Sequence, residues 1–240
     1  MKRLVVITGA SSGFGREMAH IFSATGYPLL LLGRRVEQME AYKLPNTLCR
    51  KVDVTDLSSF ETAVREAEKT FGKTDLLINN AGQMLLGDIR KQNPEEWRTM
   101  LEINVEGTLN GIKIVLEDMV TAGRGSIINI SSIAGFKGFP NHAAYCATKF
   151  GVHGLTETIR SEVADKNVRV MLISPGAAET ELLSHTTDKE IISGYNEWKK
   201  EMGGLTMDAK HVAEMALAMY EMPQSVTIRE VVLAPTKQAS

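Results

Sequence analysis

The sequence predicts an α/β fold, a single doubly wound domain in which helices cover both faces of a seven-stranded, mainly parallel sheet. Two observations predict it. Short runs rich in Leu, Ile and Val alternate with longer amphipathic stretches along the 240 residues, as in βαβ units. Apolar residues make up 43% of the chain and charged residues 23%, so one extensive core is expected, and neither disorder nor a fibrous repeat.

Seven short apolar runs are the predicted strands. They are Leu4–Thr8, Leu29–Leu32, Thr47–Val52, Leu76–Asn79, Ser126–Ile130, Val168–Ser174 and Glu230–Leu233. Between the last two strands, the segment that follows Pro175 is rich in Glu, Thr, Ser, Lys and Gly. Because it is longer than an ordinary connection, we expect a lid-like element at about 176–207 within a domain that spans 1–240.

Composition and charge argue against several classes of function. A net charge of −2 disfavours nucleic acid as a partner, and no apolar run approaches the roughly 18 residues that a membrane span needs. Cys49 and Cys146 are too few for a disulfide framework or a metal cage, and the five histidines lack the metalloprotease spacing. We therefore expect an unprocessed cytoplasmic protein with no metal, no nucleic-acid partner and no membrane partner.

A glycine-rich turn follows the first predicted strand. Its sequence is Thr8-Gly9-Ala10-Ser11-Ser12-Gly13-Phe14-Gly15, and it leads into the helical pattern Arg16–Ala24. Glycine permits torsions and close contacts that a Cβ would block, and the free N–H groups of the helix start attract a pyrophosphate. This order is typical of a Rossmann-type dinucleotide site. A tight turn that only packs is the alternative for this motif taken alone.

Two arginines follow the second predicted strand. NAD-binding domains usually carry an acidic residue at this point for the ribose 2′-hydroxyl, whereas this sequence has Gly33-Arg34-Arg35. Gly33 leaves space, and the guanidinium groups of Arg34 and Arg35 match a 2′-phosphate bidentately. The sequence therefore favours NADP(H) over NAD(H). The alternative is that both arginines are solvated at the start of a helix.

A second motif follows the fifth predicted strand. Ser131-Ser132 comes directly after the strand, and Tyr145-Cys146-Ala147-Thr148-Lys149 then opens an amphipathic helix. Tyr145 and Lys149 are four residues apart and share a helix face. An adjacent ammonium lowers the pKa of a tyrosine from roughly 10, which makes the phenol a competent general acid and base. An aromatic residue beside a surface lysine is the alternative interpretation of this pair.

Together the motifs resemble the short-chain dehydrogenases/reductases, in that family's order and spacing. They are Thr8-Gly9-x-x-x-Gly13-x-Gly15, Asn79-Asn80-Ala81-Gly82, Asn104, Ser132, Tyr145-x-x-x-Lys149, and Pro175-Gly176 with Thr180. The resemblance implies that Tyr145 is the acid/base, that Ser132 orients the substrate oxygen, and that Lys149 holds the nicotinamide ribose. It also implies that the backbone of Asn104 helps to hold a proton-relay water. The alternatives are a loop cap for Ser132 and a helix kink for Asn104.

The resemblance further implies a set of cofactor contacts. They are Gly9, Ser11, Ser12, Gly13, Phe14, Gly15, Arg34, Arg35, Asp53, Val54, Asn80, Ala81, Gly82, Tyr145, Lys149, Pro175, Gly176 and Thr180. Asp53 resembles the residue that accepts a hydrogen bond from the adenine amino group, and Thr180 resembles the hydroxyl that meets the carboxamide or pyrophosphate. The sequence departs from the family at Ala178-Glu179, where an apolar β-branched residue is usual. This departure concerns the lid rather than the chemistry.

The implied activity is hydride transfer between NADP(H) and a small-molecule carbonyl compound or secondary alcohol. Gly33-Arg34-Arg35 and the tail 234–238 are similar to the bacterial NADP-dependent 3-hydroxy acid and serine dehydrogenase branch. This similarity makes a small 3-hydroxy acid or a related carbonyl compound the expected substrate, lying against 136–144 and 181–204. A cation such as Lys189, Arg229 or Lys237 would then meet its carboxylate.

Two other functions share parts of this pattern. A 3-oxoacyl-carrier-protein reductase uses the same cofactor and motifs, but it docks an acidic carrier through a basic surface, and this chain is slightly acidic. A non-catalytic NADP(H)-sensing domain would be expected to lose Tyr145 or Lys149, and both are present. The family resemblance also implies a homodimer or homotetramer built on the helices around Gly107–Val120 and Tyr145–Asp165.

Overall fold

The computed structural model describes residues 2–201, 204 and 206–238 and contains a seven-stranded sheet. The strands are β1 (Leu4–Thr8), β2 (Leu29–Gly33), β3 (Thr47–Lys51), β4 (Thr74–Asn79), β5 (Gly125–Ile130), β6 (Val168–Pro175) and β7 (Glu230–Leu233). Their order is β3-β2-β1-β4-β5-β6-β7, and every strand pair of this sheet is parallel. The predicted doubly wound α/β fold is therefore confirmed. The order reverses between β1 and β4, where ligands bind in such folds.

Helices cover both faces of this sheet. They are α1 (Gly13–Ala24), α2 (Val36–Glu40), α3 (Leu57–Phe71), α4 (Pro94–Leu101), α5 (Gly107–Ala122), α6 (Ala143–Glu162), α7 (Lys189–Glu201) and α8 (Ala209–Glu221). Alternate residues of β1 point to opposite faces, so Val5 packs in the cluster that contains α1 and α8 residues, and Val6 in the cluster with α3, α5 and α6 residues. None of the described helices is both long and apolar enough to span a membrane.

Most element ends lie within two residues of the prediction, and some of the differences have local causes. β4 begins at Thr74, two residues early, because Thr74 and Asp75 are buried polar residues whose side chains find partners, so no apolar run announces them. α1 begins at Gly13 rather than at Arg16, since the glycine-rich turn itself enters the helix. β3 ends at Lys51, which leaves Asp53 in the loop after the strand.

The segment after β6 leaves the sheet and returns to the same place. Ala178 pairs with Met207 in an isolated parallel bridge. The Glu179 amide donates to the Met207 carbonyl at 3.0 Å, and the Met207 amide donates to the Ala177 carbonyl at 2.9 Å. Between these points lie the 3₁₀ turn Glu181–His185 and helix α7. The segment is thus tied at its base and projects over the carboxyl ends of the strands.

The apolar stripe of α5 is mainly core. Ile112, Val115 and Met119 are buried against the sheet, whereas Leu109 on the same helix is exposed. Phe150 on α6 is also exposed. Burial within the chain therefore accounts for most of the apolar residues of α5, one of the two helices on which the family resemblance implies self-association.

Candidate functional site

Two cavities meet at the carboxyl ends of the strands. One, of about 440 Å³, extends from the glycine-rich turn to Arg34 and Arg35. The other, of about 930 Å³, lies under α7 and the 3₁₀ turn. Residues that line both include Phe14, Tyr145 and Thr180, so the two form one continuous cleft. All the sequence-predicted site residues line it except Gly15 and Asn104, which lie behind its wall.

The glycine-rich turn packs too closely for larger residues. Gly9 has a φ of +64°, and a Cβ there would lie 2.8 Å from the Cα of Ala81. A Cβ at Gly15 would collide with the Gly9 carbonyl oxygen. The side chain of Ser12, at the N-cap of α1, makes no capping hydrogen bond, and the first turn of α1 contains no acidic residue. The positive end of α1 is therefore open to an anionic ligand.

The two arginines after β2 differ in their partners. Arg35 donates to the Ser11 hydroxyl at 3.2 Å, to the Ser12 hydroxyl at 2.9 Å and to a carboxylate oxygen of Glu181 at 2.9 Å. Arg34 is exposed and forms no ion pair or side-chain hydrogen bond with any residue that the structure describes. Both line the smaller cavity, so two cations lie at its far end.

The loops after β3 and β4 form the opposite wall of the smaller cavity. The Asp53 carboxylate accepts hydrogen bonds from the amide and hydroxyl of Thr55, at 3.0 and 2.8 Å. The Asn80 side chain donates to the Thr8 and Gly9 carbonyls, at 2.9 and 3.2 Å. Val54, Ala81 and Gly82 line the same wall. The Asn80 side chain thereby fixes the glycine-rich turn against the end of β4.

Asn104 is buried in a π-helical turn between α4 and α5. Its side-chain amide donates to the Gln83 carbonyl at 2.9 Å and to the Thr148 hydroxyl at 3.0 Å, and its side-chain oxygen accepts from the Gln83 amide at 2.8 Å. The Asn104 side chain therefore does not serve the backbone of its own helical turn, which was the alternative interpretation. The same side chain connects the loop after β4 to the residue before Lys149.

Ser132 and Tyr145 meet where the cavities join. Ser132 is the N-cap of a 3₁₀ turn, and its hydroxyl accepts a hydrogen bond from the Ala134 amide at 3.1 Å. Burial raises the pKa of Tyr145 above its ordinary value, and a hydrogen bond with the Ser132 hydroxyl opposes this rise. The loop cap expected as an alternative for Ser132 is therefore real, and it coexists with contact to the tyrosine.

Lys149 approaches the same point from one turn further along α6. Its ammonium donates to the Ile130 carbonyl at 3.0 Å and lies 5.7 Å from the centroid of the Tyr145 ring. Burial lowers the pKa of Lys149 to about 8. The expected lowering of the Tyr145 pKa by Lys149 was wrong for this structure, because desolvation of a nearly fully buried phenol dominates.

The larger cavity has aromatic walls and one largely buried cation. A row of rings runs from Tyr145 through His142 and Tyr195 to Trp198, with neighbouring centroids 6.3, 6.3 and 5.3 Å apart. The Lys199 side chain is 19% exposed, and its ammonium lies 5.7 Å from the Tyr195 ring centroid and 3.8 Å from a Glu179 carboxylate oxygen. The residues that line the larger cavity come partly from 139–142 and 182–199, within the two segments expected to contact the substrate.

Sequence reasoning missed a third contributor to this cavity, the loop 84–93 with the first turn of α4. Met84, Leu86 and Gln92 of this loop line the cavity. Its position directly after the Asn79–Gly82 motif, at the carboxyl end of a strand, could have indicated this. The lining includes Lys199 but none of the three cations proposed for a substrate carboxylate, which are Lys189, Arg229 and Lys237.

Known proteins resemble this chain over almost its whole length. A family model described as short chain dehydrogenase matches residues 3–191. An uncharacterised oxidoreductase of Staphylococcus saprophyticus is 35% identical over 243 residues, covering 99% of this chain and 97% of the relative. Another, from Listeria monocytogenes, is 36% identical over 246 residues, with 98% and 97% covered.

Solved structures give the same result. The closed form of a serine dehydrogenase complexed with NADP⁺ has a TM-score of 0.91 at 27% identity, covering 99% of this chain and 96% of that one. An alcohol dehydrogenase from the archaeon Thermococcus sibiricus, complexed with 5-hydroxy-NADP, has a TM-score of 0.87 at 25% identity, with 100% and 99% covered.

Proposed function

The chain belongs to the short-chain dehydrogenase family of oxidoreductases, and we propose that it transfers a hydride between NADP(H) and a small carbonyl compound or alcohol. The observation that carries this proposal is the meeting of Ser132, Tyr145 and Lys149 at the junction of the two cavities. A phenol, a hydroxyl and an ammonium are the groups that such a reaction needs for proton transfer and alignment.

In the proposed reduction, Tyr145 gives its phenolic proton to the carbonyl oxygen, and in oxidation it takes the proton from the alcohol. Burial raises the pKa of Tyr145, so the phenol is protonated at neutral pH, which is the form that donates the proton in the reduction. The Ser132 hydroxyl donates a hydrogen bond to the same oxygen as negative charge develops. Lys149 holds the nicotinamide ribose, and Asn104 holds the loops on either side of it. When bound, NADP(H) supplies or accepts the hydride.

The smaller cavity suits a dinucleotide phosphate. Gly9 lets the turn pack closely against the Asn80-Ala81 backbone at the edge of the cavity, and the uncapped start of α1 offers N–H groups to a pyrophosphate. Asp53 at the far wall suits the adenine amino group. Arg34, which has no ion-pair partner among the described residues, is available for a 2′-phosphate. These features support NADP(H) over NAD(H), as do the NADP ligands of the two structural neighbours.

For the substrate, we propose a small 3-hydroxy acid or the corresponding carbonyl compound, with Lys199 facing its carboxylate. The Lys199 ammonium donates no hydrogen bond to any described residue, since its ion-pair partner Glu179 lies 3.8 Å away. A largely buried ammonium with free donors suits an anionic ligand. The segment at about 176–207 would be the lid over this site within one domain. The exposed Leu109 and Phe150 support self-association through α5 and α6.

The first test is an initial-rate assay of NADPH and NADH oxidation against keto acids, keto esters, acyl-thioesters and aldehydes. We expect faster turnover with NADPH than with NADH, and with keto acids than with neutral acceptors. Arg34→Ala should weaken the binding of NADPH by about 10–150-fold and the binding of NADH far less. An equal loss for both cofactors would reject the phosphate role of Arg34, and preference for acyl-thioesters would favour an acyl-carrier substrate instead. Tight NADPH binding without any turnover would favour a sensing domain.

The substrate proposal has its own test. Lys199→Met should raise the KM for the best hydroxy or keto acid by roughly tenfold and leave the KM for a neutral alcohol unchanged. Lys200→Met is the matched control, because Lys200 is exposed and does not line the cavity. An equal rise for acid and neutral substrates would reject the carboxylate contact.

A further inference from the structure

The carboxylate of Glu181 lies at the end of the cleft where the ribose 2′-position of a bound dinucleotide would face Arg34 and Arg35. Its Oε2 atom is 2.9 Å from Nη1 of Arg35. Arg35, Glu181 and Arg34 line the same cavity, together with Asp53. Glu181 comes from the segment after β6, 146 residues away from Arg35 in sequence. An acidic residue is therefore present at the 2′-position after all, although it does not follow β2.

Each of the three guanidinium nitrogens of Arg35 has a hydrogen-bond partner. Its Nη2 and Nε atoms face the hydroxyls of Ser11 and Ser12, at 2.9 to 3.3 Å, and its Nη1 faces Glu181. The Arg35 guanidinium holds the pKa of Glu181 below its ordinary value. Glu181 is thus an anion at neutral pH. An incoming phosphate would meet a guanidinium that already has an anionic partner.

The ion pair is nevertheless exchangeable. The side chains of Arg35 and Glu181 are 46% and 55% exposed, so the pair is solvated and weak. A 2′-phosphate carries more charge and more acceptor oxygens than a carboxylate. A phosphate and a carboxylate held at the same guanidinium repel each other, so occupancy by one disfavours the other.

We infer that Glu181 is a specificity-determining residue that competes with the 2′-phosphate of the cofactor for Arg35. This inference rests on the proposed use of NADP(H). Glu181 lowers the affinity for nucleotides with a 2′-phosphate and leaves those with a free 2′-hydroxyl unaffected. The phosphate displaces the carboxylate, which detaches the first residue of the turn Glu181–His185 from the wall of the cofactor cavity. Occupancy of the 2′-position and the placement of the proposed lid are thereby linked through one ion pair.

The test measures nucleotide binding by calorimetry, with the purified full chain and without turnover. The probes are adenosine 2′,5′-bisphosphate and AMP, and the variants are Glu181→Gln and Glu197→Gln. Glu197 is an exposed acid of α7 that lines neither cavity, so Glu197→Gln removes the same charge away from the cofactor cavity. We expect Glu181→Gln to tighten bisphosphate binding by roughly three- to tenfold, with AMP binding unchanged and Glu197→Gln without effect.

A second measurement identifies Arg35 as the group through which Glu181 acts. In an Arg35→Ala background, Glu181→Gln should no longer tighten bisphosphate binding. Unchanged or weaker bisphosphate binding by Glu181→Gln, equal tightening for AMP, or an effect that persists without Arg35 would overturn the inference. The wild-type protein tests the proposed cofactor separately: equal affinity for bisphosphate and AMP would reject the NADP(H) preference, whatever Glu181→Gln does.

Discussion

The two ends of the sheet both bury ionisable side chains, but they surround them differently. At the amino end, Asp75 is 3% exposed and has three side-chain partners. At the carboxyl end, Tyr145 and Lys149 are equally buried, but the Lys149 ammonium donates to a single carbonyl group. Burial is thus shared between the two ends, and the number of polar partners is what differs.

The amino end is electrostatically satisfied. The Asp75 carboxylate accepts from Arg124 at 2.8 Å, from the Tyr220 hydroxyl at 2.6 Å and from Arg3 at 3.3 Å. Burial pushes the pKa of Asp75 upward, but the hydrogen bonds from Arg124 and Tyr220 outweigh it and hold the pKa below its ordinary value. Arg169 beside it donates to Ser126 and to backbone carbonyls. This network stabilises the charged form of Asp75.

The carboxyl end is not satisfied in the same way. Desolvation raises the pKa of Tyr145 and lowers that of Lys149. It shifts the pKa values of Tyr220 and Arg169 at the amino end in the same directions, so the difference between the ends lies in their hydrogen-bond partners. The Nδ1 atom of His185 and the Oε1 atom of Gln83 are buried there without a hydrogen-bond partner among the described residues. The comparison teaches that unmet polar groups mark the end where a ligand and a reaction are expected, whereas matched ones mark structure.

The largest expected effect comes from removing the phenolic oxygen of Tyr145 at the carboxyl end of the sheet. Tyr145→Phe should lower turnover by about a thousandfold, because it removes the group proposed to transfer the proton, and should leave NADPH affinity and stability nearly unchanged. Initial rates and calorimetric binding measure the two quantities. Tyr195→Phe, in the same cavity, serves as the control and should lower turnover far less. Near-normal rates in Tyr145→Phe would reject the acid/base role.

The next effect is expected at the amino end, on stability rather than on rate. Asp75→Asn leaves Arg124 and Arg3 without a carboxylate and should lower the free energy of unfolding by about 2–3 kcal/mol. Denaturant titration measures this, with the exposed Asp165→Asn as the control. Since the folded pKa of Asp75 is lowered, its contribution is present above the unfolded value and is lost as pH falls below about 4. The stability of Asp75→Asn should lack that dependence on acid pH. A kcat below that of the wild type would contradict the assignment of Asp75 to stability rather than to the reaction.

The pH profiles of the two reaction directions test the direction of the Tyr145 pKa shift at the carboxyl end. Because burial raises the pKa of Tyr145, the oxidation rate at saturating substrates should keep rising from about pH 7 to pH 9, by up to about tenfold per unit. The reduction rate should stay level over this range, since the phenol remains protonated. A break in both profiles near pH 7 would instead show that Lys149 lowers the Tyr145 pKa in the working enzyme.

The smallest expected effect comes from the matching phenol at the amino end. Tyr220→Phe removes the 2.6 Å hydrogen bond to Asp75 and should cost about 1–1.5 kcal/mol of stability. Activity at a temperature where the variant is folded should equal that of the wild type. Paired with Tyr145→Phe, it makes the same atomic change at both ends. Loss of activity in Tyr220→Phe without loss of stability would contradict the structural role assigned to the amino end.

The amino-acid sequence alone determined the order of strands and helices, the doubly wound class and the glycine-rich turn. These follow from apolar periodicity and from residues near one another in the chain, as in the four-residue spacing of Tyr145 and Lys149. Element ends were predicted less well where buried polar residues such as Thr74 and Asp75 carry no apolar signal.

Tertiary structure decided what each of these residues meets. Local spacing suggested a lowered pKa for Tyr145, but the depth of burial determines the direction, and burial is a property of the whole fold. Asn104 contacts Gln83 and Thr148, which lie 21 and 44 residues away. No pattern in the sequence indicates that Glu181 lies against Arg35, because four further strands, β3 to β6, separate the two residues along the chain.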